Sequence, residues 1–112
     1  MYAVFVELPA FARHRSDYLD DEGLRELQIE LLLDPVAGDL LEVAGGLRKL
    51  RHRDLRRGKG KRGGLRVIYF WWDAGRQFWL FTLYDKNEMD DLGPTEKRTL
   101  RAMLKLELNA RR

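Results

Sequence analysis

Two apolar, aromatic-rich runs, Leu65–Trp72 and Gln77–Tyr84, are separated only by Asp73-Ala74-Gly75-Arg76. Runs of β-branched and aromatic residues flanking a short turn-forming tetrad predict two antiparallel strands joined as a hairpin. Both runs are apolar on two faces, so both strands belong at the centre of a sheet and need cover on each side. That demand organises the rest of the chain: helices should cover one face, and other material part of the second.

The cover is visible on either side of the hairpin. Tyr2–Leu8 reads as a first strand that stops at Pro9, where a helix starts, with Phe11, His14 and Tyr18 at helical spacing. A second helix is predicted from about Asp20, because an Asp-Asp-Glu opening suits the positive end of the helix dipole. Leu24, Leu27, Gln28, Leu31 and Leu32 form its buried stripe, and Asp34-Pro35 ends it, since a residue before proline is pushed out of the helical region. Val36–Gly46 is expected to be a connector, and Leu47–Leu50 a strand presenting cations to one side. Gly93-Pro94 opens a last helix, with Leu100, Met103, Leu104 and Leu108 on its apolar stripe. With 112 residues, 45% of them apolar, and no cysteine, a single domain over residues 1–112 can build its core without disulfides. No membrane span or secretion signal is expected, and the cytoplasm is the default compartment.

Between the connector and the hairpin lies a segment of unusual charge. Leu47–Arg66 carries ten Lys or Arg against one acid, Asp54, and the remainder of the chain has 11 basic residues against 17 acidic ones. A net charge of +3 thus conceals a local excess of nine positive charges. Such asymmetry favours nucleic acid or an acidic protein over a small neutral ligand. A charge run is often only a solvated face. Here the glycines of Gly58-Lys-Gly60-Lys-Arg-Gly63 place cations on backbone able to approach a phosphate chain closely. The same letters satisfy G-x-G-x-x-G, but a strand rather than a helix follows, so the dinucleotide-binding reading fails. Trp71, Trp72, Phe78, Trp79 and Tyr84 are available for base stacking, although most belong to the core.

RNA cleavage is one use of this chemistry. It needs a base for a ribose 2′-hydroxyl, cations around the crowded phosphorane and an acid for the departing 5′-oxygen. A lysine among other cations loses its proton more easily, so Lys59 or Lys61 can serve as base. Arg66, always charged and planar, suits a phosphate clamp. His52, inside the basic run, is a weaker candidate and is expected to be an exposed strand-end residue. His14 is expected to be structural. Glu88, Asp90 and Asp91 read as turn or helix-start residues rather than metal ligands, and no metal or other cofactor is expected.

GGLRKLR at 45–51, GKGKRGGLRVIYF at 58–70 and LYDKNEMDDL at 83–92 resemble the RelE/HigB family of bacterial toxins, in particular its HigB-like branch. The resemblance runs from the VFVE strand through Asp34-Pro35…Gly38-Asp39 to the Glu96–Leu104 helix. It implies an α+β fold: a small antiparallel sheet, two N-terminal helices packed on it and a C-terminal helix. It also implies an mRNA interferase, an endoribonuclease that cleaves mRNA in the A site of the 30S ribosome, inhibits translation, and is neutralised by a cognate antitoxin. By position, Lys59 and Lys61 resemble the family's loop lysines and Arg66 its strand arginine, while Tyr84 and Lys86 fall where further catalytic groups stand. Arg48, Lys49, Arg51, Arg53, Arg56, Arg57 and Arg62 would then bind ribosomal RNA. The rival reading is a non-catalytic RNA-binding module, or a related-fold toxin that poisons a protein such as gyrase. Gyrase-directed relatives typically lack the loop lysines and strand arginine.

Overall fold

A computed structural model describes residues 2–54, 61–86, 88–89 and 92–111, with only the backbone described at residues 54 and 61–63. Five strands and three helices follow one another as β1 (Val4–Glu7), α1 (Pro9–Tyr18), α2 (Asp21–Leu33), β2 (Asp39–Leu40), β3 (Arg48–Asp54), β4 (Lys61–Trp72), β5 (Gln77–Asp85) and α3 (Pro94–Ala110). The sheet order is β1-β5-β4-β3-β2, which places the two apolar runs inside it. Strands β2 to β5 pair antiparallel, as the hairpin and the resemblance imply. β1 joins the edge of β5 in parallel, so the sheet is mixed. Parallel pairing needs a long return path, and the chain between β1 and β5 supplies it.

The helix ends follow local chemistry. Pro9 opens α1, where its missing N–H costs no helical bond. The Asp20 carboxylate accepts from the Gly23 N–H at 2.7 Å, with Asp21 and Glu22 in the first turn of α2. At α3, the Glu96 carboxylate accepts from the Gly93 N–H at 2.7 Å.

Both sheet faces are covered, by different elements. α1 and α2 pack Phe11, Leu19, Leu27 and Leu31 on Leu50, Leu65, Val67, Tyr69, Phe78, Leu80 and Leu83. On the opposite face, Leu100 and Leu104 of α3 pack with Leu47, Ile68, Trp79 and Phe81. Two expectations require correction. The connector contains a two-residue strand, β2, whose approach to β3 needs Gly38: its φ is +87°, and a Cβ there would stand 2.3 Å from the Lys49 carbonyl oxygen. The strand expected from Leu65 begins instead at Lys61, because β3 extends to Asp54 and offers it a ladder.

One irregularity decides which side chains share a face. Ile68 opposes Thr82 and Tyr69 opposes Leu80, which leaves Phe81 as an extra residue on β5. Side chains alternate along a strand, so one inserted residue reverses the parity of everything beyond it. Before the bulge the even residues Phe78 and Leu80 face α1 and α2; after it the odd residue Leu83 does. Tyr84 is thereby turned to the α3 face.

Candidate nucleic-acid interface

Cα partners directly opposite one another in an antiparallel ladder project to the same face. Arg51 of β3 opposes Arg66 of β4, which opposes Tyr84 of β5. The three form a row across the α3 face of the sheet, two strand spacings or about 10 Å long. Lys49, opposite Ile68, lies on the same face two residue pairs along. Lys86 continues β5 beyond the row: its N–H donates to the Gly64 carbonyl at 3.0 Å, and its side chain is exposed.

Like charges directly opposed across strands destabilise a sheet. Arg51 and Arg66 stand in that relation, and Arg66, on the most central strand, is only 8% exposed, with a donation from its guanidinium to the Leu65 carbonyl at 3.4 Å among its contacts. Guanidinium groups bind phosphate oxygens two at a time, so two of them on one face suit an anion. Tyr84, 5% exposed, supplies a phenol beside them.

Other predicted cations are used differently. Arg48, opposite Tyr69, projects to the α1–α2 face and donates to the carbonyls of Val36 and Gly38 at 3.0 and 3.3 Å, so it fastens the connector. Arg53 follows the register shift between His52 and Asp54 and lies 3.9 Å from Glu26 of α2. Lys61 and Arg62 are placed in β4 by backbone only. Lys59, Arg56 and Arg57, together with Asp90 and Asp91, lie outside the described residues.

His52 corrects an expectation. It is 6% exposed rather than an open strand-end residue, because it opposes Leu65 on the α2 side, where its Nδ1 lies 2.9 Å from the Glu30 carboxylate. That places it on the other face of the sheet from Arg66. Glu30 is 22 positions away in the chain, so no local pattern announces the pair.

Nothing in the sequence pairs Tyr18 with Glu88. The Tyr18 hydroxyl donates to the Glu88 carboxylate at 2.6 Å across 70 positions of chain. The Asp85 carbonyl accepts from the N–H groups of Glu88 and Met89 at 2.9 and 3.1 Å and so shapes the turn that carries Glu88. Together with His14, these side chains border Tyr84 at the outer edge of β5. Glu88 was correctly read as a turn residue, but nothing in its neighbourhood names α1 as its partner.

No protein-family model matches the chain. Two solved structures share its fold. A double-mutant form of E. coli toxin RelE in the free state aligns over 80% of this chain and 90% of that one, with TM-score 0.54 and 14% identity. The intact E. coli RelBE toxin–antitoxin complex aligns over 75% of this chain and 96% of the matched chain, with TM-score 0.54 and 15% identity. The fold is therefore RelE-like. Among the described residues, no helix is long and apolar enough to cross a membrane.

Proposed function

We propose that the chain is the toxin of a toxin–antitoxin pair, of the HigB-like branch, and acts as an endoribonuclease on mRNA in the ribosomal A site. The observation that carries this reading is the Arg51–Arg66–Tyr84 row, where two opposed arginines and a tyrosine share one sheet face. The RelE-like fold and the quoted sequence motifs support it.

In the proposed reaction the ribose 2′-oxygen attacks the adjacent phosphorus as its proton passes to the amine of Lys59 or Lys61. Arg66 and Arg51 hold the phosphorane oxygens, whose charge increases in the transition state. The bond from phosphorus to the 5′-oxygen then breaks, and Tyr84 or Lys86 donates a proton to that oxygen. The products are a 2′,3′-cyclic phosphate and a 5′-hydroxyl, by a route that asks for no metal. Lys49 and the loop cations Arg56, Arg57 and Arg62 would hold ribosomal RNA, and the site of action would be the cytoplasm.

A cognate antitoxin is the proposed protein partner. Its motive is electrostatic, since an excess of nine positive charges in twenty residues is well covered by an acidic segment. A structural neighbour that is itself half of a toxin–antitoxin complex supports the assignment.

The test is cleavage of mRNA on programmed ribosomes by the wild type and by Arg66→Ala, Arg51→Ala and Arg48→Ala variants. Loss of one phosphate-holding donor costs roughly 10²–10³ in rate. The first two variants should lose activity on that scale, and a folded Arg48→Ala variant should retain it. Binding to RNA without any cleavage by the wild type would convert the reading to a non-catalytic binder.

A further inference from the structure

β1 pairs with β5 as far as Leu80, and the outer side of β5 beyond that point is bordered by α1 and by Glu88, Met89 and Leu92. Between them lies a hollow of about 250 Å³, lined chiefly by His14, Tyr18, Tyr84, Glu88, Met89 and Leu92. Tyr84 forms its inner wall and also ends the Arg51–Arg66–Tyr84 row. A group in the hollow is therefore one strand away from a phosphate held at Arg66.

The lining argues for a base rather than a phosphate. Among the described residues its lining holds no lysine or arginine, and it includes the carboxylate of Glu88, which accepts from the Tyr18 hydroxyl at 2.6 Å. A carboxylate repels phosphate but accepts hydrogen bonds at two oxygens. Tyr18 and Tyr84 offer aromatic surface, which suits any unstacked base. The volume equals about eight waters at ~30 Å³ each, the scale of one nucleobase.

We propose that this hollow receives the base of a nucleotide flanking the scissile phosphate, and that Glu88 selects a base with an exocyclic amino group, as in cytosine, adenine or guanine, over uracil. The proposal rests on the nuclease reading and deepens it by naming a specificity residue. Glu88 accepts from the amino group, Tyr18 fixes the carboxylate, and the phosphate stays on the arginines. Uracil presents a carbonyl oxygen where the amino group would be, and its lone pairs face those of the carboxylate.

Two readouts test this. Ribosomes programmed with mRNAs that differ at single positions of the cut codon should show, at one position, about tenfold less cutting for uracil than for cytosine by the wild type. Glu88→Gln supplies both a donor and an acceptor, so the cytosine-to-uracil ratio should fall toward one; Tyr18→Phe, which releases the carboxylate, should lower it less. Binding of 2′-O-methyl dinucleotides, followed by the backbone resonances of Tyr18 and Glu88, should show the same tenfold ratio and the same loss. If cutting requires Arg66 while Glu88→Gln keeps the wild-type ratio in both readouts, the base site is overturned and the nuclease reading stands. If no RNA is cut but dinucleotide discrimination depends on Glu88, the base site stands and the nuclease reading falls.

Discussion

The two faces of one sheet spend their cations in opposite ways. On the α1–α2 face Arg48 fastens backbone carbonyls, His52 meets Glu30, and Arg53 bends toward Glu26. On the α3 face Arg51 and Arg66 stand opposite each other, beside a tyrosine. Residues 48 to 52 alternate between the two, so neighbours in sequence serve different ends. The lesson is that a basic run placed on a strand is divided by the pleat into a structural half and a half facing outward chemistry.

The largest expected effect lies in the core of the α1–α2 face. Leu31, fully buried beneath the sheet, should cost about 2–5 kcal/mol on change to alanine, measured by urea denaturation. A loss below 1 kcal/mol would mean that α2 does not seal this face.

Next comes the His52–Glu30 contact. Glu30→Ala leaves the His52 ring buried without its carboxylate and should cost about 1–3 kcal/mol, while RNA cleavage per folded molecule is unchanged. Reduced cleavage at equal folded fraction would move His52 into the reaction and break the division between faces.

Tyr69 gives the same face a pH signature. Its hydroxyl donates to the carbonyls of Ala37 and Pro35 at 2.6 and 3.1 Å, and burial pushes its pKa well above the ordinary phenol value, opposed in part by Arg48. The folded pKa is raised, so this contribution is complete below about pH 10, where unfolded tyrosine is still neutral, and is lost as pH climbs toward the folded value. Stability should fall more steeply between pH 10 and 11 in the wild type than in Tyr69→Phe, by up to about 1.4 kcal/mol per pH unit. Identical slopes would remove Tyr69 from the account.

The smallest effect on stability belongs to the α3 row. Arg51→Ala removes a like charge opposite Arg66, so its unfolding free energy should be unchanged or raised by less than about 1 kcal/mol. A variant destabilised by several kcal/mol would show that Arg51 belongs to the framework.

Much of the fold could be read from residues in order, because it is set by local rules. The hairpin, the Asp20 cap, the stop at Asp34-Pro35 and the Pro94 start depend on contacts within a few positions. The placement of Arg66 beside Tyr84 could not, since the Phe81 bulge reverses strand parity and Thr82, Leu83 and Tyr84 carry no mark of it. The burial of His52 and the Tyr18–Glu88 contact were hidden for another reason: their partners lie 22 and 70 positions away, and only the packed sheet brings them together. The parallel seat of β1 is likewise a tertiary outcome that strand periodicity does not encode.

The most direct test of the division between faces is an NMR titration of the protein with a 2′-O-methyl RNA oligonucleotide, observing the arginine side-chain Nε–H resonances. The account predicts that Arg51 and Arg66 shift first and most, with Arg48 and Arg53 nearly still. Shifts concentrated on Arg48 and Arg53, with Arg66 unmoved at saturation, would contradict it.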